Sequence, residues 1–199
     1  MAKLPAILII EDHPVMRKGL ENFFTGTKRW TAYSVPDIDE AKNVLSDTSI
    51  EIVLIDIQLK NGWGLDIIPW LKERKGKIPF FAVYTSFDDF GHISVAMSMG
   101  VHAYLTKQSR EEELEEALLK VLKGETFIEY SVQGRIIDNA DIFNLLTRRE
   151  AEILALVKAG LTNKKIASRL NIKERTVENI LYCVYSKTGI KSRLKLQLL

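Results

Sequence analysis

The chain has 199 residues, 46% of them hydrophobic and 27% charged, which is ordinary for a soluble globular protein of one large or two small domains. The apolar stretch at residues 4–10 runs straight into Glu11 and Asp12, so it is neither a signal peptide nor a membrane span. The single cysteine, Cys183, excludes an internal disulfide and favours a cytoplasmic location.

The net charge of +2 conceals an uneven distribution along the chain. Residues 144–199 hold 12 of the 28 basic and 4 of the 26 acidic side chains, a net charge of +8, which leaves 16 basic and 22 acidic side chains, a net of −6, in residues 1–143. An acidic first part and a basic second part indicate two domains with different partners. The basic part is a candidate for binding nucleic acid, and a solvated basic surface is the alternative.

Strand and helix patterns alternate over residues 1–123. Strands are predicted at 6–10, 30–35, 51–56, 79–84 and 102–105, and helices at 14–25, 37–46, 64–74, 88–99 and 110–123. Five such repeats predict a parallel sheet covered by helices. The first, third and fourth strands are continuously apolar, as burial on both faces requires.

The remaining chain has only helical patterns. Residues 124–143 are predicted to form a linker, and helices follow at 147–158, 163–170, 174–187 and, as a short last helix, 192–199. Thr147 and Glu150 form a capping-box pattern, and Thr162 is a second predicted cap. Two short helices joined by a tight turn at Asn171 in a basic segment predict a helix-turn-helix.

Four of the predicted strands end in polar side chains: Glu11-Asp12, Asp56, Thr85-Ser86 and Thr106-Lys107. Parallel strands place their carboxyl ends at one edge of a sheet. In the strand order 2-1-3-4-5, ligands bind between strands 1 and 3, which end in Glu11-Asp12 and Asp56.

Clustered carboxylates repel one another unless a cation neutralises them, and their hard oxygen atoms suit Mg²⁺. With the metal bound, the Asp56 carboxylate can attack a phosphoryl group, while Lys107 and Thr85 contact the phosphate oxygens. Any one of these residues is also common as a helix cap or a solvated loop residue, so the inference depends on the combination. His13 is predicted to have a structural role.

These residues resemble the receiver domain of two-component response regulators. The resemblance covers about residues 1–123 and lies in Glu11-Asp12-His13-Pro14, in Asp56 with Gly64 eight positions later, in Thr85, and in Gly100-x-x-Ala103-Tyr104-Leu105-Thr106-Lys107. It implies a flavodoxin-like, doubly wound, five-stranded parallel sheet. Lys60 stands where this family usually has proline, and Gln108 replaces a proline that often follows the lysine.

The receiver resemblance also implies roles for individual residues. Asp56 would accept a phosphoryl group from a histidine kinase. Asp12, Asp56 and the backbone carbonyl of Gln58 would hold Mg²⁺, with Glu11 helping through water. Thr85 and Tyr104 would form the switch pair, and Lys107 would contact the phosphate.

Residues 144–199 resemble the LuxR-type helix-turn-helix of NarL/FixJ-class response regulators. The matching residues are Leu146-Thr147-x-Arg149-Glu150, Gly160-Leu161-Thr162-Asn163-Lys164-x-Ile166-Ala167, Thr176-Val177 and Lys187-x-Gly189-x-Lys191-Ser192-Arg193. This implies a four-helix domain, after the receiver, whose third helix enters the major groove of promoter DNA. It also implies a homodimer in the active state.

The third helix departs from that pattern. Val177, Leu181 and Val184 have core spacing, which leaves Glu178, Asn179, Tyr182 and Cys183 exposed. The family usually has lysine at position 178 and histidine at 180, here Ile180, and a carboxylate weakens phosphate attraction. The predicted DNA-binding residues are Lys164, Lys165, Arg175, Thr176, Glu178, Asn179, Tyr182, Lys187 and Arg193.

The sequence therefore predicts a phosphorylation-controlled DNA-binding transcriptional regulator. One alternative is a receiver-switched regulator that binds proteins, favoured by Glu178 and Ile180. An enzyme on the same sheet is disfavoured, because neither G-x-G-x-x-G nor a P-loop follows the first strand.

Overall fold

A computed structural model of the chain describes residues 4–74, 76–133, 145–190 and 192–197. Its strands are β1 (Ala6–Ile10), β2 (Thr31–Val35), β3 (Ile52–Ile55), β4 (Gln58–Leu59), β5 (Gly62–Trp63), β6 (Phe80–Thr85), β7 (Ala103–Thr106) and β8 (Phe127–Ile128). The predicted linker beyond residue 133 and the last two residues of the predicted final helix lie outside the described residues.

The ends of the helices lie within two or three residues of the predicted ends. They are α1 (Pro14–Gly26), α2 (Ile38–Asp47), α3 (Ile67–Lys72), α4 (Phe90–Ser98), α5 (Glu111–Leu122), α6 (Arg148–Lys158), α7 (Asn163–Arg169), α8 (Glu174–Thr188) and α9 (Arg193–Gln197). The helix predicted at 64–74 is shorter because its first turn, Gly64–Asp66, is a 3-10 turn.

The main sheet is parallel, in the order β2-β1-β3-β6-β7-β8. The predicted order and the α/β class are confirmed. The sheet has one strand more than predicted, because Phe127–Ile128 pairs with Ala103–Tyr104. Two residues give too short a run for periodicity to reveal, so the segment resembled a linker. Residues 58–63 form a separate two-stranded hairpin.

Burial explains why the central strands are apolar on both faces. Every residue of β1 and β3 is buried. On one face, Ile7 and Ile9 belong to a core cluster with Leu20 and Phe24 of α1 and with the apolar side of α5. The two-sided burial holds the strand ends in a fixed register, which positions the polar residues that follow them.

The described chain divides into two compact units. Of the described residues, one unit contains those up to 87 together with 99–129, and the other contains 88–98 together with those from 130 onward. Helix α4 therefore groups with the C-terminal helices. The boundaries inferred from the sequence, a receiver at 1–123, a linker at 124–143 and a helix-turn-helix domain at 144–199, remain predictions.

The helices of the second unit begin and end as their sequences indicate. Thr147 and Glu150 form the predicted capping box of α6, and the Thr162 hydroxyl caps α7. Asn171 makes the turn between α7 and α8 with a left-handed φ of 49°. Lys173 at the start of α8 makes no side-chain capping bond, and Gly189 ends this helix.

Candidate functional site

The polar strand ends meet at the carboxyl edge of the sheet in the first unit. The parallel ladder continues one residue past the strands, because Asp56 N–H donates to the Ile10 carbonyl at 2.9 Å and Lys107 N–H donates to the Thr85 carbonyl at 2.8 Å. These bonds bring Asp56 beside Glu11 and place Lys107 next to Thr85. The sequence-predicted residues are therefore together in space.

Asp56 is almost fully buried, with 7% of its surface exposed. The Thr85 hydroxyl donates to its Oδ1 at 2.8 Å, and the Lys107 ammonium donates to its Oδ2 at 2.6 Å. Each carboxylate oxygen thus has a fixed partner. A cleft of about 320 Å³ lies over this carboxylate, lined by Asp12, Asp56, Gln58, Leu59, Lys60, Thr85, Ser86 and Phe87.

Lys107 joins two buried carboxylates. Its ammonium lies 2.7 Å from Glu11 Oε2 and 2.6 Å from Asp56 Oδ2. Burial acts to lower the pKa of Lys107, but the hydrogen bonds and charges of Asp56 and Glu11 outweigh it and raise the pKa above its ordinary value. The ammonium therefore remains charged and offsets part of the repulsion between the carboxylates.

Three carboxylates converge at this edge and could hold a metal ion. One oxygen from each of Glu11, Asp12 and Asp56 lies within 4.8 Å of the other two. Oxygen ligands of this kind fit Mg²⁺, which binds through one or two carboxylates and retains several waters. Gln58, whose carbonyl is a predicted ligand, lines the same cleft.

The two predicted switch residues occupy neighbouring strands. Thr85 is buried at the end of β6, with its hydroxyl on Asp56. Tyr104 is fully buried in β7, and its hydroxyl donates to the Phe87 carbonyl at 2.9 Å, in the loop that follows Thr85. Tyr104 is thus both a packed aromatic and a tether of the loop that lines the cleft.

Two features of the site were missed in the sequence. The Lys60 main-chain N–H donates to Asp12 Oδ2 at 2.8 Å. Gly64 has no room for a side chain, because an added Cβ would lie 1.9 Å from the Asp56 carbonyl oxygen. The sequence shows that residue 60 is not proline and that residue 64 is glycine. It does not show that the Lys60 N–H reaches Asp12 or that Gly64 lies against the Asp56 main chain. His13 caps α1, with its Nδ1 accepting from Met16 N–H at 3.4 Å.

In the second unit, most of the predicted DNA-binding side chains are at the surface. Val177, Leu181 and Val184 are buried, as their spacing predicts. The exposed members of the predicted set are Lys164, Lys165, Arg175, Thr176, Glu178, Asn179, Tyr182 and Lys187. The Arg175 guanidinium lies 3.1 Å from Glu178 Oε2, so the unusual carboxylate pairs with a cation on its own helix.

Lys187 and Arg193 also have partners within the second unit. The Lys187 ammonium donates to Glu150 Oε2 at 2.7 Å, which connects α8 to α6. Arg193 donates to Asn163 Oδ1 at 2.8 Å and to the Leu161 carbonyl at 2.5 Å, which connects α9 to the start of α7. Both cations therefore help to pack the helices together.

Comparisons with known proteins agree with this geometry. The family profile "Response regulator receiver domain" matches residues 7–119, and "Bacterial regulatory proteins, luxR family" matches residues 144–199. The chain belongs to the response regulators, with a receiver domain and a LuxR-type DNA-binding domain.

Individual relatives cover nearly the whole chain. The transcriptional regulatory protein LiaR of Bacillus subtilis (strain 168) is 30% identical over 197 residues, 94% of this chain and 92% of LiaR. The nitrate/nitrite response regulator protein NarL of Escherichia coli (strain K12) is 29% identical over 206 residues, 95% of this chain and 91% of NarL.

A solved structure of RcsB from Salmonella enterica serovar Typhimurium, bound to promoter rprA in the presence of phosphomimetic BeF3−, has a TM-score of 0.79 with this chain. The match is 20% identical and covers 98% of both chains, and it shows the shared fold. By name, LiaR is a transcriptional regulatory protein and NarL is a response regulator protein, and neither name is that of an enzyme class. None of the described helices is long and apolar enough to cross a membrane.

Proposed function

We propose that the chain regulates transcription by accepting a phosphoryl group on Asp56. The observation that carries the proposal is the placement of the Asp56 carboxylate between the Thr85 hydroxyl and the Lys107 ammonium, at the foot of an open cleft. A carboxylate oxygen attacks phosphorus of a phosphohistidine on a histidine kinase. The new O–P bond forms as the N–P bond breaks, and the imidazole leaves with the electron pair.

The side chains around Asp56 have separate tasks in this transfer. The Thr85 hydroxyl and the Lys107 ammonium, which bind the free carboxylate, donate to the phosphoryl oxygens afterwards. Glu11, Asp12, Asp56 and the Gln58 carbonyl would hold Mg²⁺, which supplies charge stabilisation to the phosphoryl oxygens when bound. Tyr104 and Thr85 reorganise together, since the Tyr104 hydroxyl is tied to the loop after Thr85.

A labelling experiment tests the acceptor. Acetyl phosphate or phosphoramidate with Mg²⁺ should add one phosphoryl group, detected by intact-mass spectrometry. Asp56→Asn and Asp56→Ala should abolish this addition, and removal of Mg²⁺ by chelation should suppress it. Asp39→Asn is the control, because Asp39 is exposed and pairs with Lys42 on the same helix. Unchanged labelling of either Asp56 variant would exclude Asp56 as the acceptor.

We further propose that the second unit binds promoter DNA through the surface of α7 and α8. Lys164, Lys165 and Arg175 are exposed and would contact phosphates, with Thr176 beside them. Glu178 and Asn179 would contact base edges, since a carboxylate accepts from cytosine and an asparagine pairs with adenine. Tyr182 extends the same surface, and Lys187 and Arg193 would contribute after loosening their internal bonds.

A gel-shift titration at low salt tests DNA binding with the native promoter region, with and without phosphorylation. Phosphorylation is expected to tighten binding, because the active form is proposed to be a homodimer on paired half-sites. Absence of binding in both states would favour the second candidate, a regulator whose output is protein binding. The Arg175–Glu178 ion pair favours that candidate, because it neutralises a cation on the DNA-facing helix.

The proposed partners are therefore a histidine kinase, promoter DNA and a second copy of the chain, and the proposed location is the cytoplasm. The single cysteine supports that location, because a reducing compartment leaves Cys183 as a thiol.

A further inference from the structure

A main-chain hydrogen bond ties the carboxylate cluster to the β4–β5 hairpin. Lys60 N–H donates to Asp12 Oδ2 at 2.8 Å, between residues 48 positions apart in the sequence. Leu59 pairs with Gly62, so Lys60 and Asn61 are the two central residues of the hairpin turn. The N–H of the first central residue is not used in closing such a turn, and it is therefore available to Asp12.

The residue type at position 60 makes this bond possible. Proline has no N–H, and proline is what receiver domains usually have at this position. The bond thus belongs to this chain and not to the general receiver pattern. Among the described residues, the only non-glycine positions with positive φ are Lys28 and Asn171, so the turn does not have the left-handed backbone that would forbid proline at 60.

We infer that Lys60 is a positioning residue for the divalent cation, acting through its main chain on Asp12. The N–H fixes the orientation of the Asp12 carboxylate by holding Oδ2, and it leaves the second oxygen for the cation. Hydrogen bonds of this kind to metal-binding carboxylates raise affinity, and their removal typically costs tenfold to a hundredfold in metal binding. This inference depends on the proposed role of Asp12 as a Mg²⁺ ligand.

The Lys60 side chain weakens cation binding, whereas its main-chain N–H strengthens it. It is exposed and lines the cleft over Asp56, where its positive charge repels an incoming cation through solvent. The two parts of the residue can therefore be separated by substitution. Lys60→Ala removes the charge and keeps the N–H, whereas Lys60→Pro removes both.

The test is a Mg²⁺ titration of the full chain without a phosphodonor, followed by intrinsic tryptophan fluorescence. Trp63 is a suitable reporter, because it is buried and pairs with Gln58 across the hairpin. Lys60→Pro is expected to bind Mg²⁺ about tenfold more weakly than Lys60→Ala. Lys60→Ala is expected to bind as tightly as the parent protein or more tightly. A difference between the two variants of less than about threefold overturns the inference, given the usual effect of such bonds.

A second measurement avoids the proline substitution. Hydrogen exchange of the Lys60 amide, followed by NMR in the metal-free parent protein, should be slow and should accelerate in Asp12→Ala. Unchanged exchange at this amide overturns the hydrogen bond even if Lys60→Pro fails to fold. If the parent protein binds no Mg²⁺, both the proposed metal site and the role of Lys60 are wrong. If the parent protein binds Mg²⁺ and the two variants bind it with equal affinity, the metal site stands and only the role of Lys60 is wrong.

Discussion

At the scale of single residues, Gly64 shows how the site depends on a missing side chain. An added Cβ would lie 1.9 Å from the Asp56 carbonyl oxygen and 2.7 Å from Ile55 Cγ2. The requirement is for space, because the main chain of the 3-10 turn passes directly against the end of β3. Gly64 N–H also donates to the Ile57 carbonyl at 2.8 Å, which fixes this close approach.

We predict that Gly64→Ala displaces the Asp56 main chain. The close approach is to backbone, which cannot move aside as a flexible side chain would, so the free energy of unfolding should fall by about 1–3 kcal/mol or more. The rate of labelling by acetyl phosphate should fall with it. Gly62→Ala is the control, because no described atom lies within 4 Å of its Cβ position. Urea unfolding with equal midpoints for both variants would contradict the steric role of Gly64.

At the scale of helices and strands, Glu150 connects the start of α6 to the end of α8. Its Oε2 accepts from Thr147 N–H at 2.6 Å and from the Lys187 ammonium at 2.7 Å. Burial acts to raise the pKa of Glu150, but the bonds from Lys187 and Thr147 outweigh it and lower the pKa. One carboxylate therefore completes a helix cap and an interhelical ion pair.

We predict that Glu150→Ala lowers the free energy of unfolding of the second unit by about 0.5–2 kcal/mol, the usual range for the loss of a helix cap. The matched control is Glu152→Ala. Glu152 pairs with Arg149 one turn away at the surface, and such pairs are worth about 0.3–0.5 kcal/mol. Amide hydrogen exchange of peptides from residues 148–158 measures both variants. Equal protection in the two would show that the capping box contributes nothing.

The second unit also contains a buried ion pair between Asp89, which directly precedes α4, and the last residue of α6. Lys158 Nζ, on a side chain that is 3% exposed, lies 2.7 Å from Asp89 Oδ1, and His92 Nδ1 lies 2.5 Å from Asp89 Oδ2. Burial acts to raise the pKa of Asp89, but the hydrogen bond and charge of His92 and the Lys158 ammonium outweigh it and lower the pKa well below its usual range. Asp89 is thus ionised whenever the unit is folded near neutral pH.

The depressed pKa of Asp89 predicts how stability depends on pH. Its contribution is fully present above the unfolded pKa of about 3.9 and is lost as the pH falls towards the lower folded value. Asp89→Asn should therefore destabilise the second unit at pH 7, by about 3 kcal/mol if the Lys158 charge stays buried. The difference from the parent should shrink as the pH falls below about 4. Hydrogen exchange at pH 7 and at lower pH measures the stability difference between the variant and the parent. A difference that does not change with pH would contradict the depressed pKa of Asp89.

At the scale of the whole molecule, the charge asymmetry predicts how DNA binding responds to salt. Lys165 is exposed, whereas the Lys187 ammonium is held by Glu150. Each phosphate that the protein no longer neutralises should reduce the slope of log affinity against log salt by about 0.9. Lys165→Ala should show this decrease, and Lys187→Ala should show a smaller one. Salt-dependent gel shifts measure the slopes, and the reverse order would place Lys187 at the phosphates.

The sequence by itself determined the fold class, the strand order and which polar residues end the strands at one edge of the sheet. Continuous apolar strands must be buried on both faces, and a parallel sheet then places Glu11, Asp12, Asp56, Thr85 and Lys107 at one edge. The helix caps at Thr147 and Thr162 could also be predicted from the sequence, because capping depends on residues three positions apart.

Only the tertiary structure decided the contacts between distant parts of the chain. The bond from Lys60 to Asp12, the space needed beside Gly64 and the pairing of β8 with β7 involve main-chain atoms, which every residue type carries and which sequence patterns do not distinguish. The internal partners of Lys187 and Arg193 were also decided by the tertiary structure, because the sequence does not distinguish a lysine or arginine in an ion pair or hydrogen bond from one that is free in solvent. Local periodicity specifies which face of an element is buried, but the partner on that face is set by how the chain closes in three dimensions.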